Sequence, residues 1–128
     1  MEDFIIKTRF NECDQMGHIN NSVYLTYTEE ARIHFLNQLL GLEWDWKNNG
    51  IIVRKHEIDY LIPINYPSEI IIKTKISKIG KKSFELTHDF CIQEQVVTKV
   101  KTTLVYFNYT KLISKQLDDL ILKKLSYV

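Results

Sequence analysis

Cys13-Asp14-Gln15-Met16-Gly17-His18-Ile19-Asn20-Asn21-Ser22-Val23-Tyr24 is the stretch that organises the reading of this chain. A carboxylate sits in a short loop, then come Gly, His and two Asn, and an apolar-periodic segment begins. Asn20, Asn21 and Ser22 are all capable helix N-caps, so the spacing predicts a helix from about Ser22 to Leu40, with Gly41 as its C′ residue. The loop acid is then aimed at a first helical turn whose backbone N–H groups lack intrahelical acceptors. An acid facing preorganised N–H donors is the minimum equipment for splitting an ester or thioester.

The helix carries two apolar stripes. Tyr24, Tyr27, Ala31, Phe35 and Leu39 share one face, and Leu25, Ile33, Leu36 and Leu40 make the second. A surface helix needs only one. Either a curved sheet embraces this helix, a partner covers it, or its core face is simply wide.

Upstream, Asp3 to Phe10 alternate with Phe4, Ile6, Thr8 and Phe10 on one side, which predicts a first strand. Downstream of the Trp44–Gly50 loop the period switches to two. Ile51 to Ile62 reads as a long strand ended by Pro63-Ile64-Asn65-Tyr66-Pro67. Ile70, Ile72, Thr74 and Ile76 mark the next, and Gly80-Lys81-Lys82 a turn. Phe84, Leu86, His88 and Phe90 alternate to Ile92, and Gln93-Glu94-Gln95 turns the chain into Val96 to Tyr109. These last strands, joined by short turns, are expected to pair antiparallel in sequence order. Ser114 is expected to open a short terminal helix with Leu117, Leu120, Ile121 and Leu125 on one side. Strand, long helix, four strands, short helix is an α+β layer arrangement.

At 128 residues the chain is expected to form one domain over residues 1–128. Lys and Arg number 17 against 16 Asp and Glu, a balance that argues against a general nucleic-acid or membrane-surface protein. No apolar run approaches the ~20 residues that cross a bilayer. Met1-Glu2-Asp3-Phe4-Ile5-Ile6-Lys7 is acidic and then strand-like, unlike a secretory leader, so a cytoplasmic protein is expected. Cys13 and Cys91 make neither a disulfide scaffold nor a four-ligand zinc site, and no metal site is expected. A Cys13 nucleophile served by His18 competes with the reading of Cys13 as a small thiol without chemistry. His56 and His88 have no ligand-spacing partner and read as sheet residues, and no phosphate-cradling Gly-rich loop is present.

From Asp14 to Leu36 the chain resembles the hotdog-fold acyl-CoA thioesterases, the 4-hydroxybenzoyl-CoA thioesterase-like family. The resemblance implies an antiparallel sheet wrapped around the long helix, and hydrolysis of an acyl thioester without metal or redox cofactor. It implies a homodimer with the acyl channel at the subunit junction, often paired again into a tetramer. Asp14 would act as nucleophile or as general base toward water, and the Asn21 backbone N–H would polarise the thioester carbonyl. Gly17 would let the loop approach substrate backbone-first; Asn20 caps the helix or meets substrate; Tyr24, Tyr27 and Phe35 line the channel or belong to the core. Against these roles, an ordinary loop Asp makes an Asx-turn.

Plant-type acyl-carrier thioesterases of the same superfamily carry Asp-x-Asn-x-His-Val-Asn-Asn. Asp14, His18, Asn20 and Asn21 match this pattern, but Met16 replaces the first Asn. His18 therefore orients Asp14, hydrogen-bonds the loop, or does neither. In benzoyl-type relatives a basic cluster followed by Ser-Phe binds coenzyme A phosphates. Lys81, Lys82, Ser83 and Phe84 match it, with Gly80 where a third basic residue would stand. Glu29 and Arg32 are spaced to pair on the helix flank, and Glu57 and Asp59 read as solvated strand charges. Acyl-carrier-protein hydrolysis and a non-catalytic acyl-CoA-binding module are the rival functions.

Overall fold

The structure, a computed structural model, describes residues 1–126. The chain runs β1 (Phe4–Lys7), a 3-10 turn (Phe10–Glu12), α1 (Asn21–Leu40), β2 (Gly50–Tyr60), β3 (Glu69–Ile79), β4 (Ser83–Ile92), β5 (Gln95–Asn108), β6 (Ile113–Ser114) and α2 (Asp119–Leu125). The strands form one antiparallel sheet in the order β1-β3-β4-β5-β2, with β6 on the end of β5. This is the α+β arrangement expected of a hotdog fold. Strands β3, β4 and β5 pair in sequence order, as their short turns require. Gln93 and Glu94, at φ 48° and 70°, make the tight β4–β5 reversal. β2 instead lies beyond β5, at the sheet edge opposite β1. Register shifts at Val53/Lys55, Ile76/Lys78 and Phe90/Cys91 add local twist, which helps the sheet curl.

Asn20 caps α1 by accepting from the Ser22 N–H at 3.0 Å, and Gly41 ends it at φ 87°. The stripe Tyr24, Tyr27, Ala31, Phe35 and Leu39 is buried against the sheet. The second stripe divides: Leu36 and Leu40 are buried, whereas Leu25 and Ile33 are 39% and 51% exposed on the single chain.

Two departures from the sequence reading stand out. β1 stops at Lys7, because Thr8 turns to exchange hydrogen bonds with Ser68 and Phe10 starts the 3-10 turn with its ring exposed. Ser114 does not open a helix. Ile113 and Ser114 pair with Asn108 and Phe107 as β6, and Asp118 caps α2 four residues later. Leu120 is consequently exposed, while Leu117, Ile121 and Leu125 are buried.

The core has two apolar halves. Phe35, Leu36, Leu39 and Leu40 pack with Phe84, Leu86, Leu104, Tyr106 and Ile121 at the C-terminal end of α1. Ile19, Tyr24, Tyr27 and Ala31 pack with Ile64, Ile70, Ile72, Phe90 and Val100 at its N-terminal end. Between them runs a polar seam. On α1 it holds buried Thr28 and largely buried Arg32; on the sheet, Thr74 bonds His88 Nδ1 at 2.8 Å and Thr102 bonds His56 Nδ1 at 2.9 Å.

Candidate active site

The Asp14 loop is a tight reversal hung on the start of α1. An antiparallel bridge joins Cys13 to Ile19, the Asp14 N–H donates to the His18 carbonyl at 2.7 Å, and the Asn20 N–H donates to the Glu12 carbonyl at 2.9 Å. Gly17, at φ 78°, makes the turn that few L side chains tolerate. The β2–β3 connection braces the loop from outside: Ile19 N–H donates to the Ile64 carbonyl, Tyr66 N–H to the Gly17 carbonyl, and His18 bridges Asn65.

Asp14 stands exposed at the tip. Its Oδ1 accepts from the Met16 N–H at 2.8 Å and the His18 N–H at 3.2 Å, so one carboxylate oxygen does make the local Asx-type turn. Oδ2 receives no hydrogen bond from the described residues. The carboxylate is therefore oriented by its own loop and keeps one oxygen free.

The helix start offers the complementary group. The Asn20 side chain takes the Ser22 N–H and hydroxyl, and the Asn20 carbonyl takes the Val23 N–H. The Asn21 N–H has no acceptor among the described residues. Tyr24, one turn on, is buried edge-to-face on Tyr60 and stacked on Phe90, at ring separations of 4.9 and 6.1 Å. Burial pushes its phenol above the ordinary tyrosine value; a hydrogen bond with the Ile64 backbone opposes the rise, and Tyr60 and Asp14 add to it.

Asp14, Gly17, His18, Asn20, Asn21 and Tyr24 thus share one end of α1. Lys81, Lys82 and Ser83 do not join them. The Lys81 and Lys82 carbonyls accept from the backbone N–H groups of Leu117 and Tyr106 beside α2, next to the core half that holds the C-terminal end of α1. The two groups thus lie toward opposite ends of the 20-residue helix, itself about 30 Å long. Tyr27 and Phe35 are core. Cys13 is half-buried, and burial together with the Asp14 and Glu12 charges holds its thiol above the usual value, which opposes a thiolate role. Glu29 meets Arg32 at 3.7 Å, and Glu57 pairs with Lys55 at 2.8 Å on the outer sheet face. Among the described residues no three His, Cys, Asp or Glu cluster in a way that could hold a metal ion, and no helix is long and apolar enough to cross a membrane.

Glu12 is the residue that sequence reasoning missed. Its Oε1 accepts from the Tyr27 hydroxyl at 2.5 Å and from the Arg9 N–H at 2.9 Å, tying the loop to the buried face of α1. The only hint was a second acid two residues before Asp14.

The profile of the thioesterase-like superfamily matches residues 8–125. The chain is 32% identical over 81 residues to the uncharacterized protein YsmA of Bacillus subtilis (strain 168), covering 63% of this chain and 54% of that one. It is 30% identical over 78 residues to a chloroplastic acyl-acyl carrier protein thioesterase of Arabidopsis thaliana, covering 59% of this chain and 41% of that one. It thus spans about half the length of these relatives. A thioesterase from Thermus thermophilus, solved with coenzyme A and zinc, superposes with a TM-score of 0.86 at 26% identity, covering 98% of this chain and 91% of that one. The loop acid, the free helix-start amide and the long helix packed on the sheet are thus found in a chain that matches one family almost end to end, and it belongs to the thioesterase-like superfamily.

Proposed function

We propose that this chain is a cytoplasmic acyl-CoA thioesterase, splitting an acyl thioester into a free carboxylic acid and coenzyme A. The observation that carries this reading is the pairing of a loop-oriented carboxylate oxygen at Asp14 with an unclaimed N–H at Asn21. Bound at that amide, a thioester oxygen gains charge as its carbon becomes tetrahedral, and a preorganised donor stabilises that charge most in the transition state. Asp14 then serves in one of two ways. As general base it takes a proton from water, whose oxygen bonds to the carbonyl carbon as the C–S bond breaks and the proton passes to the thiolate. As nucleophile it forms a mixed anhydride with release of thiolate, and water then cleaves the anhydride. Neither route calls for a metal or redox cofactor, because carboxylate and amide supply both functions. His18 holds the loop through its backbone N–H and carbonyl, and its ring, which makes no hydrogen bond among the described residues, would be left to meet substrate.

The working unit is proposed to be a homodimer, with pairing into a tetramer as a further step. Lys81, Lys82 and Ser83 stand too far from Asp14 of the same chain to share one coenzyme A, so a second copy would bring its basic turn to the phosphates. The half-exposed Leu25 and Ile33 on α1 support a covering copy.

A thiol-release assay over an acyl-CoA panel tests the reading. Asp14→Asn keeps the Oδ1 acceptor that shapes the loop but removes the carboxylate, so kcat is expected to fall ~10²-fold or more with binding retained. A variant as active as the native chain overturns the assignment. The match to the Arabidopsis acyl-carrier-protein thioesterase favours a second substrate reading. Turnover of acyl-carrier protein that falls with salt, without comparable use of acyl-CoA, would select it.

A further inference from the structure

The polar seam contains a cation without an adequate anion. The Arg32 side chain is only 14% exposed, yet its guanidinium donates no hydrogen bond to any described residue. Its one ionic contact is Glu29 Oε2 at 3.7 Å, on a carboxylate that is 62% exposed. A guanidinium offers five donors in a planar fork, and here the fork is not among the fully buried unpartnered groups, so its donors still reach solvent and are open to an incoming acceptor. Burial pulls Arg32 below the usual arginine value, and Glu29 offsets only part of the fall.

Its position can be traced from the packing. Tyr24 stacks over the sheet row containing Phe90, Thr98 and Tyr60. Arg32 lies two turns further, about 12 Å along α1. On the sheet, Tyr60 to His56 spans about 13 Å, so Arg32 falls over the row of Leu86, Thr102 and His56. Burial lowers both His56 and His88, and the Arg32 charge adds to the fall in each. Tyr27 and His34 turn toward Glu12 and Phe4 at the β1 side, which leaves Leu25 and Arg32 on the flank toward edge strand β2. Along that flank Leu25 and Tyr60 are 39% and 48% exposed, a strip leading from the helix start to Arg32.

A second, independent feature points to the same place. His88 is fully buried, and Thr74 engages its Nδ1, but its Nε2 has no partner. Side chains stand off the sheet, so Nε2, the outermost nitrogen, is aimed toward α1. When the Thr74 hydroxyl donates to Nδ1, the neutral ring carries its proton on Nε2 and becomes one more unmatched donor.

Resting on the thioesterase reading, we infer that Arg32, flanked by His56 and His88, receives a carboxylate at the far end of the acyl group, so that the preferred substrates are thioesters of dicarboxylic acids. The carbonyl would sit at the Asn21 amide and the chain along Leu25 and Tyr60. The tail carboxylate would take the free guanidinium donors, leaving Glu29 in water. Arg is suited to this because its fork matches a carboxylate in bidentate geometry.

The test compares medium-chain acyl-CoAs in pairs of equal length, one ending in methyl and one in carboxylate. At the best length, native protein is expected to favour the carboxylate-ended member in kcat/KM by about tenfold or more. Arg32→Met should bring that ratio to one or invert it, Arg32→Lys should retain part of it, and His56→Gln should lower it even if Arg32→Met fails to fold. A native ratio of one or less, or a ratio that Arg32→Met leaves unchanged, overturns the inference. Loss of the oligomer in Arg32→Met also overturns it, because the anion would then belong to a second copy. Calorimetric binding of the free diacid against the matching monoacid reads Arg32 without turnover. Arg32-dependent diacid binding with no thioester cleaved would keep the anion site and sink the hydrolase reading; cleavage indifferent to the tail would do the reverse.

Discussion

The Tyr27 hydroxyl lies 2.5 Å from Glu12 Oε1, joining a fully buried residue in the second turn of α1 to the segment that carries Asp14. The same oxygen accepts the Arg9 N–H, and the Glu12 carbonyl accepts the Asn20 N–H. Glu12 therefore fixes the loop against the helix at its face and at its cap. Burial and the Glu12 hydrogen bond both push the Tyr27 phenol well above the ordinary tyrosine value, so it stays protonated as a donor.

Removing that donor should separate positioning from folding. Tyr27→Phe loses one hydrogen bond to a charged acceptor, a cost of about 1.5–3 kcal/mol. We expect kcat for thioester cleavage to fall while KM changes little, with Glu12→Gln milder than Glu12→Ala because the amide oxygen still accepts. Urea melts and steady-state kinetics on the same variants check this. An unchanged kcat beside a lowered melt would make the contact purely structural.

Gly17→Ala isolates backbone conformation. A methyl group there meets no atom within 4 Å, so the cost is that of holding an alanine at φ 78°. That strain is about 1 kcal/mol and is borne by the loop. Amide exchange in residues 13–20 should quicken more than global stability falls, as hydrogen-exchange mass spectrometry would read.

Asn20→Ala should lower stability by about 1 kcal/mol, because the Ser22 N–H loses its cap. Asn20→Asp should restore most of it, since a carboxylate accepts the same bond and suits a helix N-terminus. Thermal melts of the two variants, run side by side, decide.

His88 predicts an acid-labile fold. Burial, with Arg32 and then His56 adding, pulls its value down to about 3. In the unfolded chain the ring takes up a proton near its ordinary ~6.5, whereas the folded ring stays neutral. Its contribution is fully present above about 6.5 and declines as pH falls toward the folded value, by about 1.4 kcal/mol per pH unit. Urea melts at neutral pH and two units lower should show this loss. His88→Leu should flatten that part of the slope, and an unaltered slope would assign it to other groups.

The long helix, its cap, the turn at Gly17 and the alternating strands were all legible in the chain. Each depends on neighbours within a few residues: an Asn beside the N–H it caps, a glycine at its own φ, side chains at period two or 3.6. Ser114 shows where such rules stop. As a candidate cap it equals Asp118 locally, and only the pairing of Ile113 and Ser114 with the end of β5 moved the helix start downstream.

Groups far apart in sequence had to be brought together by the fold. The position of β2 beyond β5, the Glu12–Tyr27 contact, the pairing of His88 with Thr74 and of His56 with Thr102, and the placing of Lys81 and Asp14 at opposite ends of α1 follow from strand order and from the helix crossing the sheet. Local periodicity tells which face of an element is apolar. Which other face it meets is a question of packing, and several strand orders satisfy the same pattern until the whole core is assembled.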